Sequence, residues 1–246
     1  MKTLKSNIAS FMIATLFSIT NLNVVAQGLE TRVITGKISD GEHPIVNVAV
    51  TDGQNIVTTD ENGCYSIKTL VNTRFVYITT PAGYVVPVKD KTIPQFYQHL
   101  ETDKNTYDFK LTKNQYNDNN HTFVVHSDVQ VTSMDDINQY KTIIDDCRNT
   151  INKTKGDVFG IDCGDIVGDS PQLYPNYIET VSALKIPFFR AIGNHDMDYY
   201  GRSHETSYKT FEKYFGPTVY SFNKGKAHYI ILNNNFFIGR NYFYMG

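Results

Sequence analysis

Two kinds of apolar patterning divide the chain. From Thr31 to about Thr112, short apolar runs alternate with turns. Val33–Ile38, Ile45–Val50, Ile56–Thr59, Tyr65–Ile67 and Phe75–Thr79 are rich in β-branched and aromatic residues, as strands are. Asp40-Gly41, Asp52-Gly53 and Asn62-Gly63 are turn dipeptides at spacings of 12 and 10 residues. No helical period separates them, so a small all-β sandwich is predicted over 31–112. Lys113–Asn120 has one aromatic and no aliphatic residue, and reads as a linker over 113–120.

From His121 the pattern changes. Phe123–Val125, Asp157–Cys163 and Pro187–Ile192 are mostly apolar runs of strand length. Between the first two, Ile137, Tyr140, Ile144, Cys147 and Ile151 recur at 3,4,3,4 spacing and form one face of a helix. Ser133, Asp135 and Asp136 suit its N-terminus, where backbone N–H groups are unpaired and the dipole is positive. Pro171 to about Leu184 predicts a second helix. Tyr208, Phe211 and Phe215 predict a third, opened near Ser203 and stopped by Gly216-Pro217. Tyr220–Phe222 and Ala227–Leu232, joined through Lys224-Gly225, read as a hairpin. Alternating strands and helices define an α/β domain over 121–246.

Each of the three runs ends in polar residues. Phe123–Ser127 leads into Asp128-Val129-Gln130, Asp157–Cys163 into Gly164-Asp165, and Pro187–Ile192 into Gly193-Asn194-His195-Asp196. An open α/β sheet brings the C-terminal ends of its strands to one edge, where ligands bind. Such a sheet would place Asp128, Asp165, Asn194 and His195 together, although 67 positions separate the first from the last.

This order, Asp-x-(His or Gln), Gly-Asp, Gly-Asn-His-Asp, resembles the calcineurin-like metallophosphoesterases. Tyr214–Pro217, Tyr220–Asn223 and His228–Leu232 look like the stretch that follows the last motif in exported bacterial members. Thr58–Ile67, with its Thr-Asp-x-x-Gly-x-Tyr turn, Thr79–Tyr84 and Phe96-Tyr97 resemble a carboxypeptidase-regulatory-like sandwich that precedes such domains. In that module Asp60 reads as a turn residue and the whole as a structural spacer. The resemblance implies mixed β-sheets flanked by helices, two divalent metal ions (Mn, Fe, Zn or Mg) and hydrolysis of small phosphate mono- or diesters. It implies Asp165 as the bridging ligand, Asp128 on the first metal and Asn194 on the second through its amide oxygen. His195 would protonate the leaving oxygen or stabilise charge on the phosphoryl group. Asp196 would accept a hydrogen bond from His195 and fix its tautomer.

The implied chemistry is coherent. A phosphate ester repels an anionic nucleophile, and water is a poor one at neutral pH. Two divalent ions about 3.5–4 Å apart clamp the phosphoryl oxygens and make hydroxide available. Two departures from the family pattern matter. Gln130 stands where His is usual; its harder amide oxygen would shift preference modestly from Zn towards Mn, Mg or Fe. The family also supplies an isolated His and a Gly-His-x-His motif further on, whereas after Asp196 this chain has only His204 and His228. The catalytic region is therefore expected to be truncated, with weakened metal binding and an open sheet edge. The alternative is an inactive chain with a binding or structural role. His126 reads as a packing or supporting residue, and Asp162 and Asp169 as capping or solvated acids. Gly168 replaces the Tyr of purple acid phosphatases, which sets that branch aside.

A net charge of −2 leaves no basic footprint for nucleic acid. Residues 1–26 read as a secretory signal: Lys2 and Lys5, the apolar Ile8–Ile19, then Val24-Val25-Ala26 before Gln27. The apolar stretch is short for a membrane span, so a periplasmic or secreted protein cut after Ala26 is expected, with no stable span. An odd count of three cysteines leaves at least one thiol free. Cys163 is expected in a core strand and Cys147 on the apolar helix face.

Overall fold

The computed structural model describes residues 30–198, 200, 201, 203–238 and 241–244; the segment read as a signal lies outside them. In the first half, β1 (Thr31–Ser39) alternates strictly and turns Ile34 and Ile38 inward. Strands β2 (Ala49–Thr51), β3 (Ile56–Thr58), β4 (Cys64–Leu70), β5 (Phe75–Ile78), β6 (Tyr97–His99) and β7 (Phe109–Lys110) follow. They form a three-stranded sheet, β7-β1-β4, and a four-stranded sheet, β3-β2-β5-β6. The inward residues of both sheets belong to one apolar cluster.

The turns form as their chemistry dictates. Asp60 Oδ1 accepts from the N–H groups of Asn62 and Cys64, at 2.9 and 2.8 Å, while Gly63 takes φ +73°. Asp60 thus closes a turn. One expected strand is shorter than the pattern suggested: Ile45–Val48 lies outside the ladder. Asn47 takes a left-handed φ of 59°, and the Val48 N–H turns to the Thr59 hydroxyl at 3.0 Å.

In the second half, β8 (His121–His126), β9 (Asp157–Asp162) and β10 (Phe188–Arg190) form a parallel sheet in that order. Helix α1 (Met134–Ile151) links β8 to β9. Ser133 and Asp136 make a reciprocal capping box at its start, and Ile137, Tyr140 and Ile144 bury the apolar stripe. Helix α2 (Tyr174–Val181), with single 3₁₀ turns on both sides, links β9 to β10. The third helix is shorter than expected: a 3₁₀ turn over His204–Thr206, then α3 (Lys209–Phe215), ended at Gly216. Strands β11 (Tyr220–Lys224) and β12 (Ala227–Ile231) are the expected hairpin. Alternate residues of the sheet point to opposite faces. Phe188 packs with the three helices, and Phe189 with the hairpin. Helices therefore cover one face and strands the other.

The two halves pack against each other. Phe159, Phe189, Tyr220, Phe222 and Ile231 belong to the same cluster as the inward residues of β1, β4 and β5. Phe96 meets Tyr220 at 4.3 Å between ring centroids. The Phe188 N–H donates to Thr92 O at 2.8 Å. The stretch read as a linker is fastened to both sides. Thr112–Lys113 pairs with Tyr84–Val85, buried Asp118 accepts from the Gly83 N–H at 2.7 Å, and Asn114 donates to Asp157 at 3.0 Å. Its polar side chains anchor backbone, which composition alone does not reveal. Among the described residues no helix is long and apolar enough to cross a membrane.

Candidate metal centre

Because β8, β9 and β10 are parallel, the loops after them leave the same edge of the sheet. Main-chain bonds lock these loops together. Asp128 N–H donates to Gly164 O at 3.3 Å, Gln130 N–H to Asp165 O at 2.8 Å, and Asp169 N–H to His195 O at 3.2 Å. Four non-glycine residues here take left-handed φ: Asp128 (51°), Gln130 (42°), Asp165 (51°) and Asp169 (54°). Asp tolerates that region better than Gln. Such strain persists only where surrounding structure enforces it, and it collects at functional sites.

Asp165 sits at the centre and is 8% exposed. Its Oδ1 accepts from the His195 N–H at 2.9 Å, and its Oδ2 accepts from Gln130 Nε2 at 3.1 Å. One carboxylate thus ties the first and third loops to the second. Asn194 is equally buried in the adjoining turn, while Asp128 and Gln130 are exposed. Ser127 Oγ donates to Asp128 Oδ2. The close approach depends on Gly193: a Cβ there would lie 2.1 Å from both Asp165 N and Asp165 Oδ1.

The structure corrects the role expected of Asp196. Its carboxylate faces inward, 1% exposed, and accepts from the N–H groups of Gly193 (2.8 Å), Ile166 (3.0 Å) and Val167 (3.1 Å) and from the Tyr174 hydroxyl (3.1 Å). Burial pushes this acid up to about 7, against the pull of those four donors. It clamps the second loop to the third. The ring of His195 instead places Nδ1 3.2 Å from Asp169 Oδ1. Successive side chains in the tight Asn194–Met197 turn diverge, so His195 and Asp196 face different partners. Asp169, read as a capping or solvated acid, is indeed exposed, and it is the carboxylate beside the His195 ring.

A second layer lies beneath the loops. His126, Asp162 and Arg190 end their three strands in register, side by side. Their side chains are 9%, 1% and 2% exposed. Asp162 lies 3.4 Å from both His126 Nδ1 and Arg190 Nε, and accepts from the Tyr177 hydroxyl. Arg190 also donates to Thr92 O and Phe188 O, at 3.2 and 2.9 Å. Asp162 is therefore neither a cap nor solvated; it is a buried carboxylate that lies between His126 and Arg190 and takes its hydrogen bond from Tyr177, while His126 Nδ1 pairs with the Tyr140 hydroxyl at 2.8 Å. His126 is a supporting residue, as its position suggested. A charged residue inside each otherwise apolar run was the available signal. Cys163 lies just past the end of β9 and is exposed rather than in the core, because the strand stops at Asp162.

Among the described residues no group of three or more His, Cys, Asp or Glu is arranged to hold a metal ion. The donors at the strand ends are two carboxylates, Asp128 and Asp165, and two side-chain amides, Gln130 and Asn194. This all-oxygen set fits a hard divalent cation that keeps part of its water.

The model for the calcineurin-like phosphoesterase domain matches residues 121–244, and that for the N terminal of calcineurin-like phosphoesterase matches residues 32–114. No curated protein matches the chain.

Proposed function

The chain belongs to the calcineurin-like phosphoesterase family, whose members are metal-dependent hydrolases of phosphoesters, and from that membership we propose that it hydrolyses small phosphate mono- or diesters at the three-loop site. The observation that carries the reading is Asp165, held by loop donors from Gln130 and His195 at the edge where Asp128 and Asn194 also lie. Asp128, Gln130, Asp165 and Asn194 would hold the two divalent ions. When bound, such ions polarise a phosphoryl oxygen and make hydroxide available at neutral pH.

The chain's own residues do the remaining work. Asp169 accepts from His195 Nδ1–H, which leaves Nε2 to face the substrate. His195, 35% exposed, can then hold a proton at Nε2 and deliver it to the leaving oxygen. Asp196 and the His126–Asp162–Arg190 row fix the three loops at one height. Asp196 acts by positioning and does not touch the reacting atoms.

We read the two N-terminal sheets as a sandwich that buttresses the catalytic sheet. Lys2, Lys5 and the Val24-Val25-Ala26 site support export with cleavage after Ala26; N-terminal sequencing of the exported protein would begin at Gln27. The low net charge supports a small ester rather than nucleic acid. Hydrolysis of p-nitrophenyl phosphate and bis(p-nitrophenyl) phosphate with Mn²⁺ tests the function. Turnover of at least one ester, lost on Asp165→Asn, is expected. Rates equal to those of the folded Asp165→Asn variant for both esters would overturn it.

A further inference from the structure

The candidate metal centre occupies the C-terminal edge of the parallel sheet. The opposite edge opens on a different feature. A cavity of about 640 Å³ lies among the N-terminal strands, the Lys113–Tyr116 stretch, the end of α1 and the turn before β10. Strand β9 is six residues long, so roughly 20 Å of strand separates this cavity from the Asp165 loop.

Its lining combines two chemistries. Val86, Ile186 and Phe189 supply apolar wall, while Lys113, Arg148, Lys185 and Lys224 line it against a single carboxylate, Asp157. That carboxylate is already committed. Asp157 Oδ2 accepts from Lys224 Nζ at 2.7 Å and from Asn114 Nδ2 at 3.0 Å, and the Lys224 and Asp157 side chains are 5% and 9% exposed. Arg148 reaches Asp145 at 2.8 Å and Lys113 reaches Asp40 at 3.8 Å; neither acid lines the cavity. Both of these cations are largely exposed, where such pairs are weak. Among the charged groups of the lining, cations therefore outnumber the one carboxylate, while neutral polar side chains such as Asn114, Gln115 and Asn152 share the wall with the apolar ones. Its volume suits a small molecule.

We propose that this cavity is a second, non-catalytic site for a small organic anion: an aromatic or aliphatic body bearing one carboxylate, sulfonate or phosphate. The apolar wall covers the body, and Lys113 and Lys185 face the charge. The site stands independently of the phosphoesterase reading. Both halves of the chain line it, so an occupant joins them.

The test uses the full chain with metal stripped by chelator. It is titrated with 8-anilinonaphthalene-1-sulfonate and with uncharged N-phenyl-1-naphthylamine, which shares the aromatic body. Saturable binding of one sulfonate dye per chain is expected, roughly tenfold tighter than the neutral dye. The exposed pair Lys113→Glu/Lys185→Glu should erase that preference with the circular dichroism spectrum unchanged. Ala183→Phe, which adds a ring at the lining, should weaken both dyes. Equal affinity for the two dyes, sulfonate binding indifferent to the double lysine reversal or to Ala183→Phe, or no saturable binding would each overturn the proposal. Because no metal or turnover enters the readout, failure here leaves the catalytic reading standing, and the reverse holds too.

Discussion

Gly193→Ala isolates the contact on which the candidate metal centre is built. The Gly193 backbone does not need left-handed φ, so alanine adds a methyl group without backbone strain. That methyl would stand 2.1 Å from Asp165 N and Oδ1, whereas ordinary contact begins at 3.4 Å. The third loop must therefore move from the second by more than an ångström. Overpacking of this kind costs about 1–3 kcal/mol. Catalysis suffers more, since a displacement of about 1 Å can lower the rate roughly 10²-fold. Gly36→Ala is the matched control: its Cβ would lie 2.0 Å from Tyr107 O, in the N-terminal sheet far from the loops. Both variants should melt earlier. Only Gly193→Ala should lose Mn²⁺ affinity and turnover per folded molecule, measured well below the melting temperature. A folded Gly193→Ala protein with unchanged Mn²⁺ affinity and turnover would refute the claim that loop apposition at Asp165 makes the site.

Other consequences are as direct. Phe222, 1% exposed and stacked on Phe189 at 3.7 Å, should cost about 3–5 kcal/mol when cut to Ala; circular dichroism and tyrosine fluorescence should still report one transition, because both halves share its core. Arg190→Met strands the buried Asp162 charge and should cost about 3–5 kcal/mol in urea melts, with Arg190→Met/Asp162→Asn recovering part of the loss. Arg74 pairs with buried Glu212 through Nε and Nη2, both at 2.8 Å; because Arg74 is 41% exposed, its removal in Arg74→Ala should cost about 2 kcal/mol, between the values for exposed and for buried pairs. Burial raises Glu212 above its ordinary 4.5, while Arg74 holds it down. A raised acid favours the fold most below 4.5, and that contribution fades as pH climbs through the folded value. Stability of Arg74→Ala should therefore keep falling to higher pH than wild type, and Glu212→Gln should flatten that slope.

Much of this architecture was legible in the sequence because periodicity is a local property. The Ile137–Ile151 spacing and the Ser133 cap gave α1 almost to the residue, and the polar tails of three apolar runs located the candidate site. What stayed hidden depends on contacts between distant segments. The His126–Asp162–Arg190 row exists only once parallel register sets those residues side by side. Asp196 turned to backbone N–H groups and Asp169 lies beside His195, because a turn decides where a carboxylate points, and a motif does not. The bonds that Asn114 and Asp118 of the Lys113–Asn120 stretch make to Asp157 and to backbone were hidden because composition does not show where a polar side chain lands. Cys163 looked buried because one residue past a strand end is enough to reverse exposure.

The central claim is that three interlocked loops present an all-oxygen donor set for divalent cations. Calorimetric titration of metal-stripped protein with Mn²⁺ tests it most directly. The account predicts saturable binding that Asp165→Asn abolishes and the exposed, remote Lys37→Ala leaves intact. Absence of binding, or binding of equal strength in folded Asp165→Asn, would contradict it.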